Sequence, residues 1–185
     1  MNKPTGYDGA KTASFGFNNP SAGPYVLGVA AAILGRTKDG SKEKITLSLD
    51  IAKGDFKNFY RDLSDKQGKD CFLKYDQLTE GEKSLPYFKG MITAIEESNQ
   101  GFVFNFDEKT LTRKLVGAML QEKHYINKLS QRKSILKIAF LCSVAKAESG
   151  TLKIPEPEFP DDINQSQGSS QQSNHNGLPE EDLPF

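Results

Sequence analysis

The sequence predicts a mainly β fold, in which five strands form a barrel, one helix lies between the third and fourth strands, and a disordered acidic tail follows. Apolar and polar residues alternate through 45–51, which is typical of a strand. Apolar residues in 85–98 instead recur at helical intervals. Residues 165–176 contain no aliphatic or aromatic side chain that could enter a core. Without a tail of about thirty residues, the chain is the size of one domain.

The first three strands are predicted from the N-terminal half. Residues 25–35 form a long, bent strand in which Gly28 relieves the curvature, and Asp39-Gly40 closes it with a turn. Residues 45–51 form the second strand. Residues 56–63 are predicted to return as the third strand in a hairpin. A helix at 56–63 is the alternative, and it would break this strand order.

The second half supplies the helix and the last two strands. A helix is predicted at 85–98, and Asp107 is predicted to cap a turn over 108–111. Strands follow at 115–126 and 134–144. Three strands, a helix and two strands are the order of the five-stranded OB barrel. The predicted divisions are an N-terminal arm at 1–22, the OB-like domain at 23–155 and the tail at 156–185.

The charges are separated along the chain. All 24 Lys and Arg residues lie at or before Lys153, whereas seven of the 24 acidic residues follow it. The body therefore carries a net charge of +7 and the tail −7, which suits a body that attracts a polyanion. An ordinary basic domain with an unrelated acidic end is the alternative interpretation.

Other features indicate a soluble, cytoplasmic protein without catalytic chemistry. Cys71 and Cys142 lack CxxC spacing and are predicted to be reduced thiols. No apolar run is long enough to cross a membrane. The two histidines, His124 and His175, offer little material for a metal site or a catalytic triad. We therefore expect no enzyme, no metal and no cofactor.

Residues suited to binding a ligand are more numerous than candidate catalytic residues. Single-stranded nucleic acid needs cations for its phosphates and exposed rings on which bases can stack. The interval 53–75 interleaves the two, and its predicted ligand contacts are Lys53, Lys57, Tyr60, Arg61 and Tyr75. Each ring has a core position as its alternative. A second basic cluster around the first hairpin contains Arg36, Lys38, Lys42 and Lys44, for which a solvated turn is the alternative.

The chain ends in Glu180-Glu181-Asp182-Leu183-Pro184-Phe185. This ending resembles the acidic tip of bacterial and phage single-stranded DNA-binding proteins, which typically finish Asp-Asp-Asp-Ile-Pro-Phe. It differs in Glu180, Glu181 and Leu183, which are substitutions of like chemistry. The resemblance implies that these six residues bind replication or recombination proteins. A solubilising acidic tail is the alternative.

A second resemblance rests on residues 47–56, 85–99 and 114–117. They look like a family of small proteins from phages and mobile elements of Gram-positive bacteria that are regarded as single-stranded DNA-binding. The resemblance implies an OB-like fold and a role in replication or recombination. The tetramer-forming sequence of the standard cellular binding protein is not seen, and self-association into a homo-oligomer is left open.

The sequence thus predicts a sequence-tolerant protein that coats and protects single-stranded DNA and recruits partners through its tip. Two alternatives are a recombination mediator or strand-annealing adaptor, and an interaction protein that binds no DNA.

Overall fold

The computed structural model describes residues 19–160, in which five antiparallel strands form one sheet with helices between them. The strands are β1 (Gly23–Arg36), β2 (Glu43–Ile51), β3 (Leu73–Leu78), β4 (Leu115–Ile126) and β5 (Arg132–Cys142). The helices are α1 (Phe59–Gln67), α2 (Leu85–Ser98) and α3 (Val144–Glu148), and a 3₁₀ turn spans Glu108–Leu111. Along the sheet the strands follow the order β3-β2-β1-β4-β5.

The sheet is not closed into the predicted barrel. The central strand β1 pairs with β4 through its first half and with β2 through its second half. Within residues 19–160, no hydrogen-bonded ladder joins the two edge strands, β3 and β5. Helix α2 contacts both edge strands.

The prediction of a third strand at 56–63 is wrong, because α1 occupies most of this segment. Phe59, Tyr60 and Leu63 lie within α1 at intervals of three and four residues, which places Leu63 on the same side of the helix as the two rings. The third strand is β3, which pairs with β2 and places Tyr75 opposite Leu47. The chain therefore still has three strands before helix α2 and two after it, but the third strand is β3 and an additional helix, α1, precedes it.

Other predicted elements are confirmed. Helix α2 covers the predicted residues and has Pro86 in its first turn, where a missing N–H is tolerated. The Asp107 carboxylate accepts a hydrogen bond of 3.0 Å from the Lys109 amide at the 3₁₀ turn, as the capping prediction requires. The strands β1, β2, β4 and β5 lie within two residues of their predicted bounds.

The core lies between the sheet and α2. Its fully buried side chains come from every central strand and include Leu27, Leu47, Leu49, Val116 and Leu120. Helix α2 contributes Met91, Ala94 and Ile95. At its C-terminal end, the Asn99 side chain donates to the Leu115 carbonyl at 2.8 Å and accepts from the Leu115 amide at 3.0 Å. These two bonds fix the end of α2 to the start of β4.

Helix α3 lies close to β4. The Ser98 hydroxyl accepts a hydrogen bond of 2.9 Å from the Val144 amide at the beginning of α3. On β4, a Cβ atom added to Gly117 would lie 2.4 Å from the Ser143 carbonyl oxygen and 2.8 Å from the Ala147 Cβ. Only glycine permits this approach of the helix.

After α3 the chain returns along β4. The Glu158 carbonyl accepts a hydrogen bond of 2.7 Å from the His124 amide, and the Glu158 amide donates to the Glu122 carbonyl at 2.9 Å. We call residues 156–159 the return segment. It lies inside the predicted tail, and the boundary after residue 155 stays a prediction. The rest of the tail, its tip at 180–185 and most of the predicted N-terminal arm lie outside the described residues.

Two further observations concern the described part of the chain. Neither Cys71 nor Cys142 forms a disulfide. Every helix within residues 19–160 is too short or too polar to cross a bilayer.

Candidate nucleic-acid interface

A cleft of about 700 Å³ lies where β1 and β2 face α1. Small residues leave room for it, among them Gly28, Ala30, Ala31 and Ser48. The register of β1 against β2 shifts between Val29 and Ala31, which marks a bulge at Ala30. Bulges bend a strand and re-aim its side chains. The combination of small side chains and a bulge opens this part of the sheet to a ligand.

Four cations line the cleft, and they come from separate parts of the chain: Lys57, Arg61, Lys74 and Arg113. Lys57 precedes α1, Arg61 lies in its first turn, and Arg113 follows the 3₁₀ turn. Lys57, Arg61 and Arg113 are exposed and form no ion pair with another residue of the 19–160 range. Their charges are therefore available to an anionic ligand.

Lys74 is held against the sheet. Its Nζ lies 2.6 Å from the Ser48 hydroxyl and 2.5 Å from an Asp70 carboxylate oxygen. The hydrogen bond from Lys74 holds the pKa of Asp70 below its usual range. Lys74 and Ser48 are cross-strand partners, so the cation stands directly over the small residues of the cleft.

Phe72 is the aromatic residue of the cleft. It is partly buried and packs against the core, as Tyr75 does, but unlike Tyr75 it also lines the cleft. It immediately precedes β3, so its ring stands at the end of the strand that carries Lys74. A ring beside cations is the arrangement that single-stranded nucleic acid requires.

The predicted ligand ring Tyr60 is instead a core residue. Only 8% of Tyr60 is exposed, and its ring packs edge-to-face on Phe59 with centroids 5.2 Å apart. Burial raises the pKa of its phenol above the ordinary value. The prediction assumed a strand, whereas Tyr60 lies in the first turn of α1, where its ring is buried beside the partly buried ring of Phe59.

Tyr75 also packs against the core and does not line the cleft. Its cross-strand partner is the fully buried Leu47, and paired residues lie on the same face of a sheet. Burial raises the pKa of Tyr75. Its neighbour Lys74 points to the opposite face, which is the face of the cleft.

Asp50 is buried, and it anchors the wall of the cleft. Its carboxylate accepts hydrogen bonds from the amides of Ile51 at 2.8 Å, Tyr60 at 3.0 Å and Arg61 at 3.3 Å. The N-cap residue Asn58 has a left-handed backbone and makes no side-chain cap. A strand residue thus supplies the cap of α1, and this cap positions Arg61.

The remaining predicted cations lie outside the lining of the cleft. Lys53 pairs with Glu148 at 2.8 Å, and Lys44 pairs with Asp76 at 2.7 Å. Arg36 donates to the Gly40 carbonyl at 3.1 Å, while Lys38 and Lys42 are exposed. Arg36, Lys38 and Lys42 surround the β1–β2 turn. In this turn, hydrogen bonds from Thr37 and then Ser41 lower the pKa of Asp39 to about 2. Of the nine predicted ligand residues, only Lys57 and Arg61 line the cleft.

Three of the basic and aromatic residues that line the cleft are not among the predicted ligand contacts: Phe72, Lys74 and Arg113. Phe72 and Lys74 belong to the interleaved basic and aromatic interval, so that signal contained them. Arg113 had no local signal, because its position depends on the backbone bonds that join it to β1. The Arg113 amide donates to the Val29 carbonyl at 2.8 Å.

A second basic surface lies outside the cleft. We call residues 121–137, which comprise the end of β4, the connecting turn and the start of β5, the basic hairpin. Its cations are Lys123, Lys128, Arg132, Lys133 and Lys137. The Asn127 side chain accepts hydrogen bonds from the Leu129 and Gln131 amides, both at 2.9 Å, and orders the turn. Tyr125 and Leu129 are exposed on the same hairpin.

A larger groove, of about 900 Å³, lies along α2 and is mainly apolar. Its lining includes four carboxylates and a single cation: Glu43, Glu82, Glu96, Glu108 and Lys89. This charge balance disfavours a polyanion, so the groove is not the candidate interface.

No group of three or more His, Cys, Asp or Glu residues within 19–160 could hold a metal ion. No protein-family model matches the sequence, and no curated protein matches it either.

Proposed function

We propose that this chain is a sequence-tolerant single-stranded DNA-binding protein that coats and protects exposed strands. The observation that carries the proposal is the cleft, in which Lys57, Arg61, Lys74 and Arg113 surround small residues beside the Phe72 ring. Cations bind the phosphates of a strand regardless of sequence, because phosphate contacts carry no base information.

The ring accounts for a preference for single strands. A base can stack on Phe72 only where it is not already stacked and paired in a duplex. Such stacking contributes roughly 1–3 kcal/mol per base and tolerates any base, because each has a π-face. Phosphate contacts would supply the remaining affinity and make it fall with salt.

We interpret the sheet as an open variant of the OB fold. The strand order and a helix between β3 and β4 support this interpretation, although β3 and β5 are not joined by a ladder. The six terminal residues, which lie outside the described range, are proposed to recruit replication or recombination proteins.

The test is fluorescence anisotropy of labelled oligo-dT, titrated with the full chain at two salt concentrations and with duplex DNA as competitor. The variant Arg61→Ala/Arg113→Ala removes two cations of the cleft. The variant Lys83→Ala/Lys89→Ala removes two exposed cations outside it and is the matched control.

We expect tight, salt-sensitive binding that duplex DNA does not displace. The cleft variant should bind about tenfold more weakly or worse, with a salt slope lowered by about two, whereas the control should change little. Absence of binding at low salt would overturn the proposed function. Equal losses of affinity in the two variants would show that the cleft is not the DNA-binding site.

A further inference from the structure

The return segment places an acidic side chain between two cations of the basic hairpin. The Glu158 carboxylate contacts Lys123 Nζ at 2.8 Å and forms a second, shorter contact with Lys137 Nζ. Hydrogen bonds from Lys123 and then Lys137 lower the pKa of Glu158 to about 2. One carboxylate thus accepts from both lysines at once.

The register explains why these lysines converge. Lys123 is paired with Ile135, and Gln121 with Lys137. Residues two apart on a strand share a face, so Lys123 and Lys137 are diagonal neighbours on one face of the hairpin. Two ammonium groups at this spacing around one oxyanion form a site that would equally suit a phosphate.

The return segment is attached to the hairpin at few positions. Its strand-like pairing is a single bridge between Glu158 and Lys123, in which the Glu158 backbone bonds to His124 and Glu122. On the other face of the hairpin the Phe159 ring stacks on His124, with centroids 4.6 Å apart. Gln121 adds one hydrogen bond of 2.6 Å to the Glu156 carbonyl. Glu158 stays partly open to solvent, with 38% of its side chain exposed.

We propose that Lys123 and Lys137 form a phosphate subsite for a nucleic-acid strand, and that Glu158 of the same chain occupies this subsite until a strand displaces it. The inference rests on the proposed function and extends it from the cleft to the basic hairpin. It also gives the return segment a competitive role in binding.

The charge-matched comparison is Glu158→Gln against Glu156→Gln. Both variants remove one negative charge from the same segment, but the described contacts of Glu156 are made by its backbone. We expect Glu158→Gln to bind labelled oligo-dT about three- to tenfold more tightly than Glu156→Gln, because the lysines no longer have a competing anion. Adding Lys123→Ala/Lys137→Ala to Glu158→Gln should abolish this gain. Equal affinities of the two single variants would overturn the inference.

A second measurement uses the unmodified full chain. Lysine acetylation is mapped with and without oligo-dT, with Lys57 reporting on the cleft and Lys83 as the lysine outside both surfaces. We expect the oligonucleotide to protect Lys123, Lys137 and Lys57 but not Lys83. Protection of Lys57 without Lys123 and Lys137 would overturn this inference alone. Failure of every variant to bind oligo-dT at low salt would overturn the proposed function with it.

Discussion

The buried carboxylate of Asp50 accepts a hydrogen bond of 3.0 Å from the backbone amide of Tyr60. This contact joins the end of β2 to the first turn of α1, whose own N-cap residue makes no side-chain bond. The same carboxylate accepts from the Arg61 amide, so it places a cation of the cleft as well. Stability and the candidate interface therefore meet at one side chain.

Replacing Asp50 should destabilise the fold and weaken binding together. Asp50→Ala leaves amides of Ile51, Tyr60 and Arg61 without their acceptor. We expect the free energy of unfolding to fall by about 2 kcal/mol, as measured by urea denaturation. Asp55→Ala, at an exposed position nearby, is the control and should change stability by no more than about 0.5 kcal/mol. An Asp50→Ala protein as stable as the control would contradict the capping role.

Substitutions of Tyr60 should separate packing from ligand binding. Tyr60→Ala removes a core ring and should cost about 3–5 kcal/mol of unfolding free energy. Tyr60→Phe keeps the ring and should leave the affinity for oligo-dT unchanged. Thermal denaturation and anisotropy measure the two effects. A Tyr60→Ala protein with normal stability and weakened binding would show that the ring contacts the ligand and does not belong to the core.

Gly117 should not tolerate a side chain. The Cβ of Gly117→Ala would overlap the Ser143 carbonyl and force α3 away from β4. We expect a loss of about 1–3 kcal/mol in unfolding free energy, measured by chemical denaturation. Gly35→Ala is the matched control, because a Cβ there meets no atom within 4 Å. Similar stabilities of the two variants would show that α3 can move away from β4 without a loss of unfolding free energy.

The ion pairs of Glu158 should make stability depend on pH in the acid range. Its pKa is lowered in the folded state, so the unfolded state binds the proton more tightly. The stabilisation is present above the ordinary pKa of 4.5 and is lost as the pH falls toward about 2. Denaturation of wild type and Glu158→Gln across this window should show their difference shrinking with acid. A constant difference would mean that the carboxylate contributes no linked stability, and added salt should also reduce the effect.

Removal of the tip should not impair DNA binding. Deleting residues 180–185 removes three carboxylate side chains and no cation, and the shortened chain still ends in a carboxylate. We expect the affinity for oligo-dT to stay the same or rise slightly, measured by anisotropy. Leu183→Ala/Phe185→Ala, which retains the acidic residues, separates charge from the apolar end. A clear loss of affinity after deletion would contradict a tip that serves partners.

Strong local patterns made much of the fold predictable. The alternation in β2 and the helical spacing in α2 each determined an element, because one buried face repeats with the period of that element. The prediction of a strand at 56–63 is wrong although the apolar residues there have helical spacing, because the segment was interpreted as the returning strand of a hairpin. The sequence could not indicate the cap from Asp50, since β2 and α1 meet only in the folded chain.

The candidate interface was less predictable than the fold. Lys57 and Arg61 were selected because they are basic residues among aromatic ones, and that signal does not depend on the type of element. Tyr60 and Tyr75 were assigned to the wrong face because the face depends on the element and its register. Arg113 lies far along the chain, and a backbone bond to Val29 brings it to the cleft. The spacing of residues along the chain does not reveal contacts between segments that are far apart in sequence.

The edge strand β3 has a bearing on aggregation. An exposed strand edge can template the addition of another chain, and proteins limit this with short, charged edges. β3 is only six residues long, and its exposed positions Lys74 and Asp76 both carry charge. Each of these charges is already engaged, Lys74 with Asp70 and Asp76 with Lys44. The short length and the charges of β3 therefore disfavour the addition of a strand from another molecule at this edge of the sheet.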